Sequence, residues 1–267
     1  MKVRWLGWAG VEIESGGACV VVDPLADAAA TFAPLGELAA RARLPEVLEP
    51  TGRGCAVAGL ISHLHRDHAD ATALAGALAP EATVYEPPGF GGAVEENLAL
   101  AQAEQELSAA GLAREPVEVW GRRESASFTF TALPAVDGLG DPQVAWAIEA
   151  DGARVLHLGD TLFHGYWWRI ARRLGPFDVV LAPINGAVIS FPHLRPPSPL
   201  AATLEPEQAV LVAQLLGATT LVPIHYDGYA AAGVYEPVAN ARERLLQSAA
   251  LEGVGVRVLE PGEDLVL

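Results

Sequence analysis

The chain has 267 residues, 51% of them hydrophobic, which is enough to bury the core of one large domain or two small ones. Its formal net charge of −16 disfavours nucleic acid and anionic membrane surfaces as partners, because an acidic surface repels phosphate groups. No apolar run reaches the roughly 18 residues of a membrane span, and the N-terminus has no signal-peptide core; both predict a cytoplasmic protein. Cys19 and Cys55 form no CxxC pair, which excludes a cysteine zinc site.

Hydrophobic patterning divides the chain up to residue 110 into short strands with helices between them. The third apolar run, ACVVV, ends at Asp23-Pro24, a pair that stops a strand. In chain order the predictions are strands 2–6, 11–14 and 18–22, helix 35–43, strand 56–61, helix 70–78, strand 82–85 and helix 94–110.

The remainder of the chain begins with a group of strands and continues with alternating helices and strands. The predictions are strands 117–120, 126–133, 143–149 and 153–158, helix 166–174, strand 177–182, a proline-rich loop 183–206, helix 206–216, strand 219–225, helix 236–249, and strands 254–259 and 264–267. This order indicates layered sheets with helices outside them, in a single αβ domain over residues 1–267.

The stretch ISHLHRDHAD at 61–70 holds three of the seven histidines of the chain, together with two aspartates. His63 and His65 are two positions apart, so both rings can project to one side of an extended segment at the strand end. Asp67 and His68 follow where the chain turns. Imidazole and carboxylate groups are ligands of zinc, iron and manganese, so the cluster indicates a metal site rather than a solvated polar loop.

The motif H-x-H-x-D-H after a buried strand resembles the signature of the metallo-β-lactamase-fold hydrolases. Other segments match landmarks of that family: WLGWAGVEI and VVVDP resemble its opening strands, HLGDT supplies Asp160, and LVPIHYDG supplies His225. The resemblance covers positions 3 to about 228. It implies an α+β fold, the four-layer αβ/βα metallo-β-lactamase sandwich, in which two mixed sheets lie face to face with helices on both outer sides.

Three further segments narrow this resemblance. APING at 182–186, EPEQAV at 205–210 and VPIHY at 222–226 resemble the branch that contains L-ascorbate-6-phosphate lactonase and N-acyl-phosphatidylethanolamine phospholipase D. That branch is broad, so it implies classes of bond, namely ester, lactone or phosphodiester, and it does not imply one substrate.

One landmark departs from the family pattern, because no histidine stands between His68 and His157. The family places a histidine shortly after a Pro-Ala pair, and in LPAVDGLGDP that position is Asp137. The resemblance then implies two ligand sets: His63, His65, Asp137 and Asp160 for the first metal, and Asp67, His68, Asp160 and His225 for the second. The alternative is that Asp137 only caps a turn, since Asp-Gly is a strong turn signal.

Two divalent metal ions are therefore the expected cofactors. Zinc is the first expectation, with manganese or iron as alternatives, because an extra carboxylate ligand favours a harder ion. The resemblance implies that the two ions hold a bridging hydroxide, which attacks a carbonyl or phosphorus, and that they take up the developing oxyanion charge. Asp160 is expected to bridge the ions and Asp67 to relay a proton, so these two are the expected catalytic residues.

Three other residues near these motifs carry weaker expectations. Trp8 stands where relatives often have a histidine, and we expect it to shape the site without coordinating a metal. His157 precedes the HLGDT aspartate and either supports the site or packs in the core. Asp70, the second aspartate of the cluster, is expected at the surface.

The leading hypothesis is a dinuclear metal-dependent hydrolase that acts on an ester, lactone or phosphodiester of a small molecule, with an anionic substrate left open. One alternative is a non-hydrolytic ligand-binding or sensor protein, because the Asp137 departure could remove turnover. Another is a di-iron redox protein, although no segment is available for the flavin module that such chemistry usually needs. A homo-oligomer is compatible with the resemblance. The single lysine, Lys2, and the abundance of alanine are typical of a GC-rich bacterial genome.

Overall fold

We describe a computed structural model, which covers residues 1–33, 43–89, 98–191 and 194–267. Its first sheet has seven strands in the order β15-β1-β2-β3-β4-β5-β6. The pairs from β15 to β3 are antiparallel, and the pairs from β3 to β6 are parallel. The strands are β1 (Lys2–Gly7), β2 (Gly10–Ser15), β3 (Ala18–Val22), β4 (Ala56–Leu60), β5 (Leu78–Glu86), β6 (Ala113–Pro116) and β15 (Asp264–Val266).

The second sheet has six strands in the order β13-β11-β10-β9-β8-β7. Its first three strands run parallel and the others antiparallel. The strands are β7 (Arg122–Ser125), β8 (Phe128–Pro134), β9 (Val144–Ala150), β10 (Ala153–His157), β11 (Val179–Pro183) and β13 (Thr220–Ile224). A separate pair joins β12 (Val188–Ile189) and β14 (Tyr235–Glu236).

Six helices accompany these sheets in the described part of the chain: α1 (Ala28–Phe32), α2 (Ala71–Ala77), α3 (Leu98–Ala109), α4 (Trp167–Leu174), α5 (Pro206–Leu215) and α6 (Ala241–Glu252). Helices α2 and α3 pack on the first sheet through Leu74 and Leu107, which share a buried cluster with strand residues such as Val21. Ile170 and Val210 place α4 and α5 on the second sheet. The resulting order of helices, sheet, sheet and helices confirms the predicted four-layer sandwich.

The main core lies between the two sheets. Val20 and Val22 point into it from β3, on the face opposite to Val21, as the two-residue period of a strand requires. Phe130 and Trp146 meet them from the second sheet, and both are fully buried. The Trp146 Nε1–H donates to the Ile61 carbonyl at 2.9 Å. This bond ties the second sheet to the residue that precedes the histidine cluster, so core packing and site geometry are coupled.

Two predicted strands are wrong. Residues 117–120 form a turn, in which Trp120 has φ 72° and the Gly121 N–H donates to the Glu118 carbonyl at 2.6 Å; the edge strand lies just before, at β6. Residues 254–259 form only an isolated bridge between Val256 and Leu221. The apolar residues that suggested strands pack against the core from loop conformations.

Other element boundaries also differ. The predicted helix 35–43 falls almost wholly outside the described residues, as does the start of helix 94–110, whose described part is α3. The short helix α1 and strand β7 were not predicted. Asp70 is not a free surface residue: it is the N-cap of α2, and its Oδ1 accepts the N–H groups of Thr72 at 2.8 Å and Ala73 at 3.1 Å. In the described residues no helix is both long and apolar enough to cross a membrane.

Candidate metal centre

The predicted ligands come from loops that follow four strands. His63, His65, Asp67 and His68 follow β4, while Asp137, Asp160 and His225 follow β8, β10 and β13, respectively. Because neighbouring strands place these loops at one edge of the two packed sheets, residues far apart in the chain come together. The structure brings all seven of these side chains into overlapping groups whose ligand atoms lie within 4.8 Å of one another.

Three groups of possible ligands are present among the described residues. His63, His65 and Asp137 form one, and Asp67, His68 and His225 form another. Asp160 groups with His63 and His68, one member of each set. This arrangement follows the division implied by the sequence, with Asp160 between the two sets.

Hydrogen bonds on the outer side of each histidine determine which ring nitrogen faces the centre. The Ser62 hydroxyl donates to Asp23 at 2.5 Å, so it accepts from His63 Nδ1 at 3.0 Å. His68 Nδ1 donates to Asp23 Oδ2 at 2.8 Å. His65 Nε2 donates to Asp141 Oδ2 at 2.7 Å. In the neutral tautomers that these bonds favour, each imidazole directs its unprotonated nitrogen at the centre, the arrangement typical of metal-ligating histidines.

Several buried atoms at the centre form no hydrogen bond, and these atoms test whether the residues fit a metal ion. His68 Nε2, His225 Nε2 and Asp160 Oδ1 are buried without a hydrogen bond. His63 Nε2 and His65 Nδ1 are 2.8 Å apart, and in the neutral tautomers favoured by the outer hydrogen bonds neither carries a proton. Two facing lone pairs and three unpaired polar atoms are unfavourable unless a cation satisfies them. The residues therefore fit divalent metal ions.

The electrostatics of the centre support the same conclusion. Burial lowers the pKa of His68, but the carboxylates of Asp160, Asp67 and Asp23 outweigh it and hold that pKa well above its usual value. Burial raises the pKa of Asp67, but His68 and His225 outweigh it and hold that pKa well below its usual value. The fold thus concentrates ionised carboxylates in a buried place, where positive charge is strongly favoured.

The position of Asp137 is compatible with both roles that the sequence leaves open, capping a turn and binding a metal. Its Oδ2 accepts the N–H groups of Leu139 at 2.7 Å and Asp141 at 3.1 Å, so it does cap the turn. A carboxylate oxygen of Asp137 also lies in the group with His63 and His65. Because a carboxylate has two oxygens and several lone pairs, capping and ligation are compatible, and ligation stays a prediction.

Trp8 contacts two of the predicted ligands. Its Nε1–H donates to Asp67 Oδ2 at 2.8 Å, and its ring centroid lies 3.7 Å from that of His225. The His225 N–H donates to the Trp8 carbonyl at 2.9 Å. The ring fits because residue 228 is glycine, whose hypothetical Cβ would stand 2.5 Å from it.

His225 is also held from behind by Asn185, whose amide lies 3.0 Å from His225 Nδ1. If Nε2 is to bind a metal, Nδ1 carries the proton, and the Asn185 oxygen must face it. A half-turn of the amide satisfies this, because Tyr235 can then donate to the oxygen and the Asn185 NH₂ to Thr203. His157 is fully buried, its Nε2 is 2.8 Å from the Ala9 carbonyl, and burial lowers its pKa; a supporting role at the centre stays a prediction.

The sequence did not assign roles to the outer residues of the centre. The sequence identifies Asp23 only as the end of a strand, and it assigns no role to Ser62, Asp141 or Asn185. A polar residue directly after a buried strand could have drawn attention to Asp23 and Ser62. The contact between Asp141 and His65 spans 76 positions and has no local signal.

Residues 19–226 match the family described as Beta-lactamase superfamily domain. The chain belongs to the beta-lactamase superfamily. A curated relative from Methanoculleus marisnigri, called UPF0173 metal-dependent hydrolase, is 24% identical, and the alignment covers 99% of this chain and 96% of the relative. The finer likeness to the lactonase and phospholipase D branch stays a prediction.

Two solved structures illustrate how widely this superfamily fold is shared. Igni18, a metallo hydrolase from Ignicoccus hospitalis, has a TM-score of 0.66 at 20% identity, covering 99% of this chain and 97% of its own. CmlA, a diiron beta-hydroxylase from Streptomyces venezuelae, has a TM-score of 0.72 at 16% identity, covering 100% of this chain but 54% of its own. At such identities the likeness shows the fold alone.

Proposed function

We propose that this member of the beta-lactamase superfamily is a dinuclear metal-dependent hydrolase that acts on an ester, lactone or phosphodiester bond of a small molecule in the cytoplasm. The family match and the names of full-length relatives support the assignment as a metal-dependent hydrolase. The observation that carries the proposal is the set of buried, unpaired atoms at the centre: His68 Nε2, His225 Nε2 and Asp160 Oδ1.

Each metal ion would have its own set of ligands. His63, His65 and Asp137 would hold the first, while Asp67, His68 and His225 would hold the second, with Asp160 shared between them. Zinc suits this mixture of imidazole and carboxylate. Manganese or iron are the alternatives, because an aspartate in place of a histidine makes the first set richer in hard oxygen ligands.

When bound, two such ions would activate a water molecule as the nucleophile and take up negative charge from the substrate. The residues of the chain supply orientation and proton handling. Asp160 groups with His63 of the first set and His68 of the second, and its oxygens lie 3.5 and 3.1 Å from Nε2 of His68 and His225, so it would connect the two sets. Asp67 is the group that would relay a proton, with Trp8 holding its Oδ2 in place.

The classes of bond come from the resemblance of APING, EPEQAV and VPIHY to the lactonase and phospholipase D branch. All three classes develop negative charge on an oxygen during hydrolysis, which is the charge that a pair of cations stabilises. The substrate, like the cytoplasmic location, is part of the proposal.

The test is the Asp160→Ala variant. We expect the wild-type protein to bind two equivalents of zinc or manganese and to hydrolyse members of a panel of chromogenic esters, lactones and phosphodiesters. Asp160→Ala should lose bound metal, measured by elemental analysis, and at least 100-fold in kcat/KM, because removing a ligand shared by both sets disturbs each. Asp264→Asn is a matched control, since that carboxylate pairs with Arg4 on an edge strand.

The same measurements separate the alternatives. Full activity in Asp160→Ala would contradict the proposed mechanism. Two equivalents of iron with a visible charge-transfer band would favour a di-iron redox protein. One or no metal, with no turnover on any substrate of the panel, would favour a non-hydrolytic binding protein.

A further inference from the structure

The segment between Asp160 and Asp178 contains no acidic residue, although Asp and Glu outnumber Lys and Arg by 33 to 17 in the whole chain. It comprises a loop, the helix α4 and the turn that follows the helix. The sequence of α4, WWRIARRL, combines two tryptophans with three arginines. Such a local concentration of positive charge in an acidic protein requires an explanation.

The aromatic residues of this segment are unusually exposed. Phe163, Tyr166 and Trp168 are 38, 45 and 56% exposed, and in the described part of the chain no other phenylalanine, tyrosine or tryptophan is as exposed. The ring centroids of Phe163 and Trp168 lie 6.4 Å apart, so the two rings form one apolar surface. Single exposed apolar side chains are common, but three within six positions form a patch that has no role in the core.

Two arginines lie beside these rings on the outward face of α4. Arg172 is one helical turn after Trp168, and Arg169 lies next to both on the side of the helix that faces away from the second sheet. Neither forms an ion pair with any described residue, whereas most arginines of the chain do. The third arginine of the helix, Arg173, has an internal partner, because its guanidinium lies 4.2 Å from the Trp120 ring.

The shape and chemistry of this face favour a lipid surface as its partner. Its residues belong to the outside of one helix and the loop before it, and they do not line the cavities at Trp8 and at Asp137. Tryptophan and tyrosine rings are suited to the headgroup level of a bilayer, where the ring is apolar and the N–H or O–H meets water. Arginines next to such rings attract anionic headgroups.

The net charge of −16 does not prevent this contact, because salt limits the range of the charges. At physiological ionic strength the Debye length is about 8 Å, so a membrane that touches α4 interacts mainly with the charges of this face. The acidic residues elsewhere on the surface are repelled by the same membrane. They therefore favour the one orientation in which α4 faces the lipid.

We propose that Phe163, Tyr166, Trp168, Arg169 and Arg172 form a surface that attaches the protein reversibly to membranes containing anionic phospholipids. The three rings enter the headgroup layer, and the two guanidinium groups pair with lipid phosphates. Membrane attachment does not depend on which bond the protein cleaves, so it goes beyond the proposed function.

Flotation with lipid vesicles tests this surface in the full-length, zinc-loaded protein. At low salt we expect at least tenfold stronger binding to vesicles with about one third phosphatidylglycerol than to phosphatidylcholine alone, since each arginine near an anionic surface contributes roughly fivefold. About 1 M salt, where the Debye length is about 3 Å, should remove this preference. Glycerol 3-phosphate, a free phosphate ester that a metal centre binds, should not release the protein from the vesicles.

Matched variants locate the contact. Arg169→Gln combined with Arg172→Gln should weaken binding to the anionic vesicles at least tenfold, for the same reason. Trp168→Ser should weaken binding to both kinds of vesicle, because it removes a ring from the headgroup layer. Arg122→Gln combined with Arg257→Gln removes the same charge from exposed arginines that pair with glutamates elsewhere, and it should leave binding nearly unchanged. Thermal melting checks that each variant is folded.

The proposal is overturned if the wild-type protein does not bind the anionic vesicles at low salt, or if the Arg169 and Arg172 double variant binds them as well as the control does. Release by glycerol 3-phosphate would overturn it too, because the lipid phosphate would then lie at the metal centre. Binding of a polyglutamate peptide without binding of vesicles would indicate an acidic protein as the partner of this face and would exclude the lipid.

Failure of the proposed function has a different signature. It would appear as no turnover of the chromogenic panel and no loss of metal in Asp160→Ala, and neither result involves vesicles. The two failures are therefore distinguishable.

Discussion

Each predicted ligand at the centre has two polar atoms, and a hydrogen bond to the outer one orients the side chain. Asp23, Ser62 and Asp141 fix the outer nitrogens of three histidines, which leaves the inner nitrogens free for a metal. Trp8 does the equivalent for a carboxylate, since its indole N–H holds one oxygen of Asp67. A substitution that removes the indole N–H of Trp8 but keeps an aromatic ring tests this role.

Trp8→Phe keeps an aromatic ring beside His225 and removes the indole N–H. We expect zinc affinity at the Asp67 set to fall about tenfold or more, the usual effect of losing an outer partner of a ligand. Competition with a chromogenic chelator measures the affinity of each set separately. Trp168→Phe, at an exposed tryptophan, is the matched control. Unchanged affinity at both sets would show that the indole hydrogen bond does not organise Asp67.

His164 should make the free energy of unfolding depend on pH, and this effect does not involve the predicted ligands. Burial lowers its pKa from 6.5 to about 4, and its ring stacks on Trp167 at 3.9 Å. Between those pH values the unfolded chain binds a proton at this residue and the folded chain does not. Its contribution to the free energy of unfolding is therefore fully present above pH 6.5 and decreases as the pH falls towards about 4.

His164→Phe keeps a stacked ring and cannot titrate. We expect the stability of this variant relative to wild type to increase as the pH falls from 6.5 to about 4. Urea denaturation of the metal-free proteins at a series of pH values measures the difference, in which contributions from other histidines cancel. A stability difference that does not vary with pH would contradict the burial of this imidazole.

Short elements carry the ligands, and their ends are fixed by specific contacts. The histidine cluster runs directly into α2, whose N-cap Asp70 also accepts the Ala26 N–H at 2.8 Å. Asp70 thus joins the loop after β3, which carries Asp23, to the loop after β4. On the other sheet, Gly138 lies so close to Ala202 that a Cβ would stand 2.1 Å from its carbonyl oxygen. Both loops are therefore held in place by contacts that do not depend on a metal ion.

Asp70→Ala should lower the free energy of unfolding by about 1 to 2 kcal/mol, because three N–H groups lose their acceptor. Asp70→Asn should recover most of the loss, since asparagine is also a good N-cap. Chemical denaturation measures the change, and elemental analysis should show metal content unchanged in both variants. Loss of metal without loss of stability would mean that Asp70 acts on the ligands and is not principally a cap.

The two sheets contribute different predicted ligands to one centre, so a bound metal would connect them. The first sheet supplies the histidine cluster, and the second supplies Asp137, Asp160 and His225. Without a metal ion, the positive charge that compensates the buried carboxylates of Asp67 and Asp160 comes from His68 and His225. Metal binding should therefore stabilise the whole molecule, because it favours the folded over the unfolded state.

Removal of metal by a chelator should lower Tm substantially. A ligand at about 1,000 times its Kd stabilises by roughly 4 kcal/mol, which corresponds to roughly 10 °C for a chain of this size. Calorimetry with zinc and with chelator measures the shift. Asp160→Ala should melt at nearly the same temperature under both conditions. A wild-type Tm that is insensitive to the chelator would contradict a metal that links the sheets.

The sequence, through its resemblance to a known family, predicted the fold and the inner ligands. The H-x-H-x-D-H motif, HLGDT and VPIHY are contiguous segments that each follow a strand, so their chemistry and their place at strand ends could be read locally. The strands at 117–120 and 254–259 were wrong because apolar residues can reach a core from a turn as well as from a strand.

Only the tertiary structure revealed the contacts between distant segments. Asp141 on His65, Asn185 on His225 and the Trp8 hydrogen bond to Asp67 each join residues at least 40 positions apart. The exposed face of α4 with its tryptophan and arginines is likewise a property of the packed molecule, because exposure depends on what surrounds a side chain. Local sequence specifies which groups can bind a metal, and packing specifies which atom of each group is free to do so.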